Sequence, residues 1–275
     1  MNNTTTTTRF SLVHRLGAWW TRQRETQQRQ ALRRRCPPAT VAADQIPPAV
    51  RSAWAHHATD EFPGLAVDDA AWLRCSLGLA QFFEACRLQR GQGPCALPSR
   101  AADSVWHVWL ALDPAGLAGW QQRYFGREVE HYEAEALGAP LEDCLARTWV
   151  GSCRSEGLGL LGPRLPLLFA LDGLLRLPAG WAYRFEKRGL VHRQINGLGL
   201  PGGSAVTHAA IAGGGLLALG LISEAELAAL RRRQASDGGD AGGGSWSSGD
   251  DGCSGGSDDG GCSCGSGCGG GGGGD

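Results

Sequence analysis

The chain has 275 residues, with 26 basic and 27 acidic side chains, 43 glycines and ten cysteines. That length allows one or two domains with a real core. The net charge of −1 says nothing about partners as a total, because the ends are opposite: residues 1–35 carry eight Arg against one Glu, whereas residues 236–275 carry seven Asp, no basic residue and 19 of the glycines. Neither end is fit to fold alone, and such asymmetry suits tails that solvate, repel like tails or meet each other.

Residues 1–43 read as a basic N-terminal arm. The opening MNNTTTTTRFSLVHRLGAWWTRQ has no apolar h-region and no small-residue cleavage site, so no secretory signal is expected. Ten cysteines without scaffold-like spacing then fit a reducing cytoplasm. Lys187 is the only lysine, which reads as coding bias and removes Arg richness as a functional signal. Residues 9–35 form a basic helix whose apolar positions, Phe10 to Trp20, dock on the core. The alternative is an arm lying on a membrane surface; a nucleic-acid partner is not expected.

Residues 44–186 read as an all-α core domain. Pro47-Pro48 opens a helix that Phe62-Pro63-Gly64 ends. His56-His57 beside Asp60-Glu61 sits at its surface end, since adjacent helical histidines point about 100° apart. Asp68 caps the next helix, in which Cys75 and Cys86 lie within an apolar stripe as small hydrophobes. Ser99 caps a helix with Ala102, Val105, Trp106, Trp109 and Leu110 on one face, and Arg100, Asp103 and His107 on a neighbouring face. Asp113-Pro114 restarts the chain as N-cap and first helical residue; Leu117, Trp120 and Tyr124 follow, and Gly126 closes the helix. Pro140 opens a helix that packs Trp149. Residues 167–177 are apolar nearly all round, so Asp172 is the one carboxylate expected near the core, needing a partner such as Arg.

The run Pro98-Ser99-Arg100 through Asp103-Ser-Val-Trp106-His107, followed by Phe125-Gly126-Arg127 and His131, resembles the glycine-rich-domain-containing protein family, and bacterial members in particular also share Leu165–Asp172 and a Gly- and Cys-rich tail. The resemblance spans roughly residues 60–185. The resemblance implies no defined activity. This chain has Trp109 where many members have a second His, and Glu130-His131 where some have paired histidines.

Residues 187–235 read as a glycine-rich connector. Within it Ala205–Ile222 is apolar and packs as a helix, with a membrane span as the alternative. Ser223 opens a short helix with a capping-box pattern. Residues 236–275 read as a disordered tail whose Cys253, Cys262, Cys264 and Cys268 could wrap Zn²⁺ or Cu(I). Trp246 is the tail's only large hydrophobic residue, so a folded zinc module is not expected there. No P-loop, His-Glu-x-x-His or Cys-x-x-Cys pattern occurs. The candidate chemistry is therefore Asp103, His107 and His131, with Arg100 and Arg127 nearby. As chemistry, they make a general base or a metal site with Asp103 in support. As structure, they make a polar network with Arg100 and Arg127, on a core of Trp106, Trp109, Trp120, Trp149 and Asp172. The structural reading leads, giving a non-enzymatic binding or scaffold protein with protein partners. Its rivals are a metal-dependent, hydrolase-like enzyme and a membrane-associated protein using residues 9–20 or 205–222.

Overall fold

A computed structural model describes residues 29–186 and 189–237, with isolated positions 23, 26 and 27 before them. Residues 29–35 are helical, and the chain breaks at Cys36 before two prolines. The helices that follow are Pro37–Ala43 (α1), Pro48–Glu61 (α2), Asp69–Leu88 (α3), Arg100–Leu112 (α4), Pro114–Phe125 (α5), Leu141–Glu156 (α6) and Leu167–Leu175 (α7). Three strands come next, Trp181–Glu186 (β1), Gly189–Ile195 (β2) and Pro201–Thr207 (β3), then helices Gly213–Ala218 (α8) and Glu224–Asp237 (α9).

Local chemistry sets the helix starts. Asp68 Oδ1 accepts from Ala71 N at 2.8 Å, Ser99 Oγ from Ala102 N at 3.2 Å, Asp113 Oδ1 from Gly116 N at 2.9 Å and Ser223 Oγ from Glu226 N at 3.1 Å. Each satisfies a backbone donor that has no partner within the helix. The core is aromatic: Trp54, Trp109 and Trp149 are fully buried beside Phe82, Phe83 and Phe169. Trp106 packs edge-on to Phe83, and Trp109 lies against Trp120. Indole N–H groups are tied off where they can be, Trp54 to Ser104 Oγ, Trp120 to Ala42 O and Trp149 to Leu160 O. Trp109 Nε1 has no partner.

Helices α3 and α6 approach closely at Gly151, where an added Cβ would lie 2.7 Å from Ala85 Cα and 2.8 Å from Ala85 O. Backbone cannot step aside as a side chain can, so Gly151→Ala is expected to cost about 1–3 kcal/mol through overpacking. An unchanged denaturant midpoint would show that the two helices can separate freely.

The protein is mostly helical, and the expectation of an all-α fold is corrected by the sheet. Its order is β1-β2-β3, all antiparallel, with Tyr183 opposite His192 and Val191 opposite Thr207. Trp181, Tyr183 and Phe185 alternate along β1, the period of a half-buried strand. Tyr183 packs on Phe169 of α7, and Phe185 on Trp149 of α6. The run was too short, and too near glycine-rich sequence, to read as a strand. The connector expected over 187–235 likewise belongs to the core, since Leu190, Ile211, Leu216, Leu221, Ile222 and Leu227 are buried in the same cluster as the tryptophans. The apolar helix expected over 205–222 is instead the end of β3, a 3₁₀ turn at Ala209–Ile211 and the short α8. Glycines 213–215 leave too few side chains to sustain a longer helix. No helix among the described residues is long and apolar enough to cross a membrane. The candidate membrane segment 9–20, Trp246 and the tail cysteines Cys253, Cys262, Cys264 and Cys268 lie outside the described residues.

Asp172 is 1 % exposed, and its partner is not an arginine side chain. Its carboxylate accepts from Ser99 Oγ at 2.6 Å, and from the backbone N–H groups of Ala101 at 3.0 Å, Arg100 at 3.1 Å and Trp181 at 3.1 Å. Burial pushes the carboxyl up, against the pull of those four donors. The N-terminus of α4 supplies three of them, and its unpaired N–H groups and dipole favour an anion there. Asp172 thus fixes α4 to α7 and β1, and α4 carries the candidate site. The Arg100 guanidinium turns elsewhere, donating to Ala179 O at 3.3 Å and lying over the Phe62 ring.

Candidate metal centre

Asp103 and His107 are one turn apart on α4 and project from the same face. His131 arrives from outside the helix. Gly126 ends α5 in the left-handed conformation at φ 73°, a backbone shape that favours glycine. Arg90 Nη2 then donates to Gly126 O at 2.9 Å, and Val129 N donates to the buried Gln121 Oε1 at 2.6 Å. These contacts turn the chain back along α4, where the His131 ring stands edge-on to Trp106 at 4.6 Å.

Three ligand atoms meet there. His131 Nε2 lies 2.9 Å from Asp103 Oδ1 and 3.0 Å from His107 Nε2, and His107 Nε2 lies 3.5 Å from Asp103 Oδ2. Ligands bound at about 2.0–2.1 Å to one ion are separated by about 3.3 Å in a tetrahedron and about 3.0 Å along an octahedral edge. The triangle is therefore of the size one transition-metal ion requires. Its side chains are 22–26 % exposed, so the cluster lies near the protein surface. His107 Nδ1 is 2.7 Å from Glu61 Oε2, at the end of α2. A carboxylate on the far nitrogen of a ligating histidine fixes its tautomer and leaves the near nitrogen free to bind. Asp103, expected to orient His107, lies closer to His131; Glu61 is what orients His107.

Without a metal, one proton can serve the same lone pairs. If His107 donates Nδ1–H to Glu61, its Nε2 is an acceptor, and an Nε2–H on His131 sits between it and Asp103. The protonated form of His131 is accordingly favoured, first by the hydrogen bond to Asp103 and then by the charges of Asp103, Glu61 and Glu133, against burial. The site attracts cations.

A second histidine pair went unseen in the sequence. His208, 2 % exposed, lies 2.8 Å from Glu142 Oε1 through Nδ1 and 2.7 Å from His192 Nδ1 through Nε2. The arrangement is a line rather than a converging triangle. Burial and the neighbouring His208 hold His192 down to about 4. The two sites impose opposite pH limbs on the metal-free protein. His131, raised in the fold, contributes stability that is complete below its unfolded value of about 6.5 and lost as pH rises through its folded value. His192, lowered, contributes stability that is complete above about 6.5 and lost as pH falls towards 4. Thermal melts across pH should thus show a summit near the unfolded histidine value, with His192→Asn flattening the acid limb. A profile that rises steadily with pH past that value would contradict the assignment of His131.

Arg127, grouped with Asp103 and His107 by sequence, instead lines a pocket with Cys86 and Cys95. His56 is exposed, and His57 reaches only Asp60 at 3.4 Å, so neither approaches the centre. Glu61 was missed as a partner because 46 residues separate it from His107. Glu142 and His208, 66 residues apart, are likewise joined only by the fold.

Fold and site together define a mostly helical protein with a small antiparallel sheet and a two-histidine, one-carboxylate cluster at its surface. The UCP032817-like family model matches residues 50–204, more than half of the chain, and the chain belongs to that family. The matched span contains Glu61, Asp103, His107 and His131 together with all three strands up to residue 204. No curated protein and no solved structure matches the chain.

Proposed function

We propose that Asp103, His107 and His131 bind one divalent transition-metal ion, zinc first among the candidates, and that the ion activates a water molecule for hydrolysis. The observation that carries this reading is the convergence of three ligand atoms, backed by Glu61 on His107 Nδ1. A structural zinc is closed by four protein ligands, whereas three ligands beside open positions suit a catalytic ion. Such an ion lowers the pKa of bound water towards neutrality and polarises the bond under attack. The pattern that resembles the glycine-rich-domain-containing family supplies Asp103 and both histidines.

The test is a panel of chromogenic carboxylic and phosphoric esters, with zinc-loaded and chelator-treated protein. Turnover that depends on zinc and disappears in Asp103→Asn supports the reading. Zinc bound with no turnover of either ester class would remove its hydrolytic part.

A binding or scaffold role is the second reading. It draws on Leu198 and Leu200, 81 % and 50 % exposed beside the edge strand β3. Metal-independent partner capture that is lost in Leu198→Asp would favour it.

A further inference from the structure

Cys86 lies in the last turn of α3 and Cys95 in the loop before α4. Both line one pocket of about 300 Å³ with Arg127, Glu128, Tyr132 and Leu137. Cys86 is buried there and Cys95 is partly exposed. The Cys95 loop is fastened to α6 on either side, by Arg147 Nη1 on Pro94 O at 3.2 Å and by Thr148 Oγ1 on Ala96 O at 2.7 Å. Arg127 and Arg147 bring positive charge to the pair. In the pocket wall, Arg127 Nε is shut from water without a hydrogen-bond partner. An unpaired guanidinium N–H is costly unless an acceptor arrives, and a carboxylate is the acceptor it fits best.

The sulfurs are not equivalent. Burial drives the Cys86 thiol well up, as it does the core thiols Cys75 and Cys153. Cys95 goes the other way. The contact from Cys86, then Thr148, Arg147 and Arg127, together outweigh its burial and hold it below the ordinary cysteine value. A partly exposed thiol under positive charge beside a buried one is the arrangement of an attacking and a resolving cysteine.

We propose that Cys95 and Cys86 form a redox-active dithiol that exchanges with a small carboxylate-bearing disulfide, of the glutathione type, held in the pocket by Arg127. The Cys95 thiolate attacks one ligand sulfur, forming a Cys95–ligand mixed disulfide and expelling the other half as a thiolate. That thiolate takes up the proton that Cys86 gives up. Cys86 then attacks Cys95 Sγ and expels the second half, which is protonated from solvent. The protein pair is oxidised by two electrons to a Cys86–Cys95 disulfide, and the ligand is reduced to two thiols. This chemistry needs no metal and is independent of Asp103, His107 and His131.

The test uses reduced full-length protein exposed to oxidised glutathione, to neutral hydroxyethyl disulfide or to hydrogen peroxide, followed by tryptic mass mapping. Cleavage after Arg74, Arg87, Arg90 and Arg100 puts Cys86, together with Cys75, in peptide 75–87 and Cys95 in peptide 91–100, and fragment ions tell which sulfur is linked. Oxidised glutathione is expected to join these two peptides through Cys86, and Cys86→Ala to stop with glutathione on Cys95. Arg127→Gln is expected to slow exchange with oxidised glutathione about tenfold more than exchange with hydroxyethyl disulfide, since only the former offers a carboxylate. Failure of both disulfides to link the peptides, or a link made by peroxide alone, overturns the dithiol proposal. Equal slowing of the two disulfides by Arg127→Gln overturns carboxylate recognition. The wild-type map needs no variant to fold.

Discussion

Asp172→Ala is expected to destabilise the fold by about 3–5 kcal/mol, the largest single-residue effect anticipated here. The carboxylate serves a hydroxyl and three backbone N–H groups, all at one junction of α4, α7 and β1. Truncation strands four donors where the surroundings are buried, and each stranded donor costs about 1–3 kcal/mol before water or relaxation recovers part of it. Asp172→Asn should recover little. Its amide keeps one acceptor oxygen but places an NH₂ group against donors. Denaturant midpoints at neutral pH measure both variants, and a loss below about 1 kcal/mol for Asp172→Ala would contradict the anchoring role. The folded fraction should still bind metal with nearly wild-type affinity, because no ligand has been touched.

His131→Ala is expected to weaken metal binding at least a hundredfold while costing little stability at alkaline pH. Removing one of three protein ligands leaves two atoms on a single helix, too few to outcompete water. Glu61→Gln should weaken binding less, by about tenfold to a hundredfold, since it alters the orientation of His107 and not the ligand count. Affinity in the wild type should rise with pH while His131 sheds its proton, as the ion and that proton occupy one place. Competition titrations against a zinc chelator report all three. Equal affinities for His131→Ala and wild type would place the ion elsewhere.

Much of the helical frame was legible because its signals are local. Asp68, Ser99, Asp113 and Ser223 announce helix starts through chemistry that acts within one turn. Asp103 and His107 could be placed on one face for the same reason. Their partners could not. Glu61 reaches His107 only because α2 packs beside α4, and His131 reaches Asp103 only because Gly126 and Gln121 turn the chain back. The sheet was missed where a six-residue alternation, Trp181 to Glu186, had to compete with a glycine-rich continuation. Asp172 was expected in the core, but backbone donors replaced the arginine foreseen for it, since a helix N-terminus presents several at once. Cys86 read as packing because an apolar stripe gives no sign of the sulfur nine residues on.

The most direct measurement is X-ray absorption at the zinc edge on full-length protein loaded with one equivalent of zinc. A centre at Asp103, His107 and His131 predicts only nitrogen and oxygen neighbours at about 2.0–2.1 Å, with imidazole outer-shell scattering and no sulfur. Sulfur at about 2.3 Å would place the ion on thiolates such as those of the tail, and would contradict the account.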